Sequence, residues 1–158
     1  MTENNKAVVF LAGNEEYATP IPFVISIEKM EGITPIPHLP SYVRGIVKVR
    51  GELIPVVDFE EILYSRALSD SGSARMIVLQ TEELSFAVLV TEAKEILDIP
   101  ADCLKQPGLI AYQKTNYFTG VANIDHRLIT IIDPANLVES LEGIREIKEY
   151  MKTQKTTA

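Results

Sequence analysis

Cysteine is nearly absent. Cys103 stands alone in 158 residues, which excludes an internal disulfide framework and a thiolate metal cluster. Tryptophan is missing, and the two histidines, His38 and His126, have no metal-ligand spacing around them. No apolar run approaches the roughly 20 residues that a bilayer-spanning helix needs. Residues 1–6 are polar and lack the basic-then-apolar order of a secretory leader. Basic charge is also in deficit, with 15 Lys and Arg against 22 Asp and Glu, a net charge of −7. A phosphate-backbone ligand needs the opposite balance. The expectation is a cytoplasmic protein with no nucleic-acid partner, no direct membrane insertion and no metal.

Motifs of catalysis are missing too. Neither a Gly-rich phosphate loop nor Gly-x-Ser-x-Gly occurs. Ser71-Gly72-Ser73 lies in a polar stretch with no base in the pattern. No catalytic residue and no cofactor is therefore assigned.

What the chain does have is 46% hydrophobic residues against 23% charged, enough to bury the core of one domain or of two small barrels sharing one. Short apolar runs between turn residues dominate, the signature of strands. They predict strands near 7–12, 17–21, 33–36, 44–50, 53–58, 75–81, 84–90, 94–99, 117–124 and 127–133. Short helices are expected after Asp58 and Asp133, and a last one over Leu141 to Met151. Pro22 to Lys29 reads either way, since Pro22 can open a helical turn while Val24, Ile25 and Ile27 suit a strand. Residues 65–74 read as a linker between a first subdomain at about 7–64 and a second at about 75–142. Gln106-Pro107-Gly108 is a second break, Glu82-Glu83 a hairpin tip, and 143–158 a C-terminal helix and tail.

A gapless repeat is the strongest internal signal. Tyr42-Val43-Arg44-Gly45 through Val57-Asp58 aligns with Tyr117-Phe118-Thr119-Gly120 through Ile132-Asp133 at a constant offset of 75, since 120 − 45 and 133 − 58 agree. Each copy reads as a hairpin with Arg50-Gly51 or Asp125-His126 at its two-residue apex. Apolar residues such as Leu53, Ile54, Val56 and Val57 fall on both faces, so neither face is wet. Five strands per half would close two small barrels and remove most free edges.

Several polar residues carry a structural reading beside a functional one. Asp58 and Asp133 recur as a tempting carboxylate pair, yet Asp58 heads an Asp-x-x-Glu capping pattern and Asp133 precedes Pro134, so helix capping is expected. Gly45 and Gly120 read as bulges or close backbone approaches. Both histidines read as solvated turn residues. Arg50 differs from its repeat equivalent Asp125, so the fold does not demand arginine there; it is either a solvated apex or a recognition fork. Leu141, Ile144, Ile147 and Met151 form a helical stripe expected to pack onto a barrel, with a partner-binding helix as the lesser reading.

The stretch Tyr42 to Phe59, with Arg50-Gly51-Glu52 at its turn, resembles the signature of the CheW-like chemotaxis coupling proteins. Tyr117 to Leu137 and the opening Val8-Val9-Phe10-Leu11 with Tyr17-Ala18 are similar to that family as well, so the resemblance spans about residues 7–142. It implies a mostly β chain of two five-stranded SH3-like β-barrel subdomains with a shared core, short helices and a C-terminal helix. It also implies a non-catalytic scaffold that couples transmembrane chemoreceptors to a chemotaxis histidine kinase, recruited to membrane-associated receptor arrays. The receptor's cytoplasmic signalling tip would lie beside the first barrel, and the kinase regulatory domain would dock at the barrel ends. Val24, Gly45 and Arg50 match receptor-contacting positions. Ser26 stands where some relatives carry glutamate. Kinase contacts are assigned to no individual residue. Competing readings are an adaptor for another kinase pathway, such as pili or biofilm, and a small-ligand-binding or enzymatic β-barrel.

Overall fold

Strands that are apolar on both faces need cover on both sides, and the two sheets of this protein are built that way. The computed structural model describes residues 6–69, 72–82, 84–105 and 117–157. In β1 (Lys6–Ala12), Val8 and Phe10 enter a central cluster while Ala7 and Val9 enter a second one. The central cluster draws on both sheets. Phe10 meets Phe59 edge-on at 5.5 Å between ring centroids, and Tyr17 meets Phe59 at 5.2 Å, the tilted geometry that aromatic quadrupoles favour.

The remaining strands are β2 (Glu15–Pro20), β3 (Val24–Lys29), β4 (Val43–Val49), β5 (Glu52–Asp58), β6 (Arg75–Gln80), β7 (Ser85–Val90), β8 (Glu92–Asp98), β9 (Leu104–Lys105), β10 (Phe118–Ile124) and β11 (Arg127–Ile132). The helices are α1 (Phe59–Tyr64), α2 (Pro134–Ser140) and α3 (Ile144–Thr157). One sheet runs β8-β1-β2-β11-β10-β9 and the other β3-β6-β7-β5-β4. The hairpin β4–β5 joins β7 through a parallel β5–β7 pair, and β10–β11 joins β2 through a parallel β11–β2 pair. The strands β3 and β8 trade places: β3 leaves β2 to pair with β6, and β8 leaves β7 to pair with β1. Each sheet thus combines strands from before and after residues 65–74.

The expectation of two closed five-stranded barrels is corrected by this pairing. Among the described residues one sheet has six strands, the other five, and neither strand order returns to its start. The barrel reading assumed that closure removes the edges; here the edges are protected by other means. The edge strand β8 carries Glu92, Lys94, Glu95 and Asp98, and β3 carries Glu28 and Lys29. Among the described residues the β4 edge is met by a single bridge, Thr34 to Ile46, with hydrogen bonds of 2.8 and 2.9 Å. The expected strand at 33–36 shrinks to that bridge because Pro35 and Pro37 have no N–H to extend it.

Both readings of Pro22 to Lys29 are realised, a 3-10 turn at Ile21–Phe23 and then β3. The break at Gln106-Pro107-Gly108 lies outside the described residues, as does Glu83 of the expected hairpin tip.

The repeat survives in detail. The Asp58 N–H donates to Tyr42 O at 2.8 Å, and the Asp133 N–H to Tyr117 O at 2.7 Å. A bulge separates Val43 from Gly45, and another separates Phe118 from Gly120. At the apices, Arg50 and Gly51 have φ of 53° and 84°, Asp125 and His126 of 50° and 66°. Two consecutive positive φ values are the demand of a type I′ turn. A Cβ in the left-handed region costs about 1 kcal/mol, so His126→Gly is expected to raise stability by about 0.5–1 kcal/mol in urea unfolding. A neutral or destabilising result would contradict this account of the turn.

Candidate docking surface

The first hairpin apex and the edge strand β3 form the surface that carries the expected receptor residues. Arg50 is exposed at the apex. Beside it lies a groove of about 230 Å³, lined by Glu28 and Lys29 of β3, Val47, Lys48 and Arg50 of the hairpin, and Met76. The C-terminal end of β3 is therefore brought to the Arg50 apex, although β3 and β4 are opposite edges of their sheet. The groove presents both charge signs over an apolar wall.

Val24 opens β3, half-buried against the central cluster and paired with Leu79. Alternation along β3 turns Ile25 and Ile27 outward together, 37% and 42% exposed. Two branched apolar side chains thus stand exposed on a strand edge, where natural sheets usually avoid them. The Ser26 hydroxyl points inward, where its oxygen is buried with no hydrogen-bond partner among the described residues.

Gly45 is held by a different constraint. Its φ is 146°, and a Cβ there would lie 2.1 Å from Thr34 O and 2.7 Å from Thr34 C. Glycine is required by the close passage of the Thr34 segment, whatever else binds nearby.

The aspartates do what capping predicts. Asp58 accepts from the Glu61 N–H at 3.1 Å, and Asp133 from the Ala135 and Asn136 N–H groups at 2.9 and 3.2 Å. His38 and His126 are exposed, with φ of 70° and 66°. Cys103 is half-buried. Among the described residues no group of three or more His, Cys, Asp or Glu side chains could hold a metal, and no helix is long and apolar enough to cross a membrane. The expected apolar stripe on the last helix packs on the outer face of the β4–β5 hairpin, with Ile147 and Met151 against Ile46.

A charge cluster on the six-stranded sheet was not foreseen. Arg127 donates to Glu16 through Nε at 3.2 Å and to Glu95 at 2.9 Å, and Lys94 reaches Glu16 at 3.5 Å. Sequence spacing offered no signal, because the partners lie on β2, β8 and β11. The Arg127 guanidinium holds the Glu16 carboxyl below its ordinary value of 4.5. A depressed folded-state pKa gives stability that is present above the unfolded value and lost as pH falls through the folded one. Arg127→Met is therefore expected to shift the acid-unfolding midpoint to higher pH, and an unmoved midpoint in a circular-dichroism titration would discount the pair.

An exposed apolar edge strand and a charged hairpin apex, with Asp58 and Asp133 both committed to helix capping, fit the class of protein-docking modules. Residues 6–142 match the CheW-like domain family, and the chain belongs to it. It is 25% identical over 142 residues to the chemotaxis protein CheW of Klebsiella aerogenes, covering 89% of this chain and 86% of that protein. To chemotaxis protein CheW of Rhizobium meliloti it is 28% identical, covering 85% and 88%. The crystal structure of scaffolding protein TtCheW from Thermoanaerobacter tengcongensis superposes with a TM-score of 0.75 at 28% identity, covering 82% of this chain and 89% of that one. Proteins of this family are non-catalytic scaffolds linking chemoreceptors to histidine kinases, and this chain is one of that class.

Proposed function

We propose that this chain couples the cytoplasmic signalling tip of a chemoreceptor to the regulatory domain of a histidine kinase, within receptor arrays at the cytoplasmic face of the membrane. The receptor tip lies along β3 and the first hairpin apex. Val24 supplies the apolar floor, Arg50 a planar donor fork for a receptor carboxylate or backbone carbonyl, and Gly45 the tight bulge that sets the hairpin against the Thr34 segment. Ser26, with its hydroxyl turned inward, contributes less than the glutamate of some relatives would. The kinase regulatory domain occupies a separate surface, so receptor and kinase are held together without competing. Receptor conformation then biases the kinase through differential affinity of the two receptor states for the scaffold.

The observation that carries this reading is the difference between the two hairpin copies. The same turn geometry holds Asp125-His126 in one and Arg50-Gly51 in the other, so the fold tolerates either and arginine answers to something outside it. Arg50→Glu is expected to weaken binding of a purified receptor signalling fragment at least tenfold in calorimetry while leaving the thermal midpoint nearly unchanged. Unaltered affinity would remove Arg50 from the surface. Reconstitution with receptor and kinase should show kinase coupling that disappears when this chain is omitted.

A further inference from the structure

The family span ends at residue 142, just before α3 begins. All eleven strands among the described residues fall within that span, so α3 is laid on the two sheets from outside it. Its place is specific. Ile147 and Met151, 1% and 4% exposed, pack on Ile46 with Leu53 and Val43 beside them, all on the β4–β5 hairpin that carries Gly45 and Arg50. Arg145, Glu146 and Glu149 face outward. The hairpin's outer face is therefore shaped for an amphipathic helix with apolar residues at i, i+3 and i+7, and α3 fills it.

Ile144 packs against the central cluster as well as against the smaller cluster that Ile147 and Met151 form with Ile46. Gly143 stands at the joint with φ of 84°, where a Cβ would meet Pro40 Cγ at 2.7 Å. A side-chain hydrogen bond latches the joint: the Tyr42 hydroxyl donates to Glu142 O at 2.5 Å.

We propose that the outer face of the β4–β5 hairpin is a docking surface for an amphipathic helix of the receptor tip, and that α3 occupies it in cis as a tethered competitor. This rests on the receptor reading above and adds a control to it. Partner binding at that face requires α3 to lift, and whatever loosens α3 tightens the partner, because the two compete for one surface.

The test uses the full chain and a chemoreceptor signalling-hairpin fragment. Hydrogen exchange at the α3 amides from Ile147 to Met151 is expected to quicken at least tenfold when the fragment saturates the protein, while β6 and β7 keep their protection. Tyr42→Phe, which removes only the latch, and Ile147→Ala, which removes packing, are each expected to bind the fragment at least threefold more tightly. Tyr42→Phe keeps the test valid should Ile147→Ala fold poorly. Fragment binding that depends on Arg50 but leaves α3 protected and is indifferent to Tyr42→Phe overturns the competition alone. Absence of any fragment binding overturns the receptor reading and this one with it.

Discussion

Replacing Gly45 with alanine is expected to destabilise the protein by about 3–5 kcal/mol, the sum of a backbone-strain penalty of about 1–3 kcal/mol and the loss of two hydrogen bonds worth about 1 kcal/mol each. The added Cβ would sit 2.1 Å from Thr34 O, an atom of the backbone that cannot rotate away. Relief requires the Thr34 segment to retreat, which breaks the paired bonds between Thr34 and Ile46 at 2.8 and 2.9 Å. Gly51 is the internal control. It too has positive φ, at 84°, but nothing lies within 4 Å of its absent Cβ. Gly51→Ala should cost only about 1 kcal/mol, the conformational term by itself. Urea unfolding of both variants measures the difference, and a Gly45→Ala loss no larger than that of Gly51→Ala would defeat the argument. The comparison bears on function, because a Gly45 variant that fails to bind receptor has also moved the strand next to the apex. Arg50→Glu is the cleaner probe of contact.

The 75-residue offset made the repeat legible, and with it the two caps, the two bulges and the two apices, since each depends on a few consecutive residues. Strand partners were not legible in the same way. Alternation in β3 and β8 shows which side chains face inward, but nothing in Val24–Lys29 says that the strand abandons β2 for β6. That reciprocal exchange, and the open edges it leaves, is why closed barrels were the wrong expectation. The candidate surface divides along the same line. Val24, Gly45 and Arg50 were named from family likeness. The groove joining Glu28 and Lys29 to Arg50 was not, because it forms between opposite edges of one sheet. For α3 the stripe was visible in Ile144, Ile147 and Met151, but the face it covers is set by the turn at Gly143.

Asp58→Ala is expected to cost about 3–5 kcal/mol and Asp133→Ala only about 1 kcal/mol, although the two aspartates hold the same place in the repeat. Asp133 is half-buried and spends one oxygen on two amides of its own helix. Asp58 is 1% exposed and spends both oxygens. One caps α1 through the Glu61 N–H; the other accepts from the Leu68 N–H at 2.9 Å and lies 3.5 Å from Arg44 Nε. Leu68 is itself 5% exposed and packs under the five-stranded sheet. Removing Asp58 therefore orphans a buried amide, strips Arg44 of its counter-charge and frees the segment after α1, beyond the loss of a cap. Arg44 is 34% exposed on its side chain, so most of the excess comes from the buried amide and the segment it anchors rather than from the ion pair. Asp58→Asn separates the contributions: it keeps an acceptor for the Glu61 amide, loses the charge, and should fall between the alanine variant and the native protein. Urea midpoints at neutral pH provide the comparison. Equal losses for the two alanine variants would mean that the anchor at Leu68 adds nothing, and that the duplicated aspartates differ in surroundings but not in work.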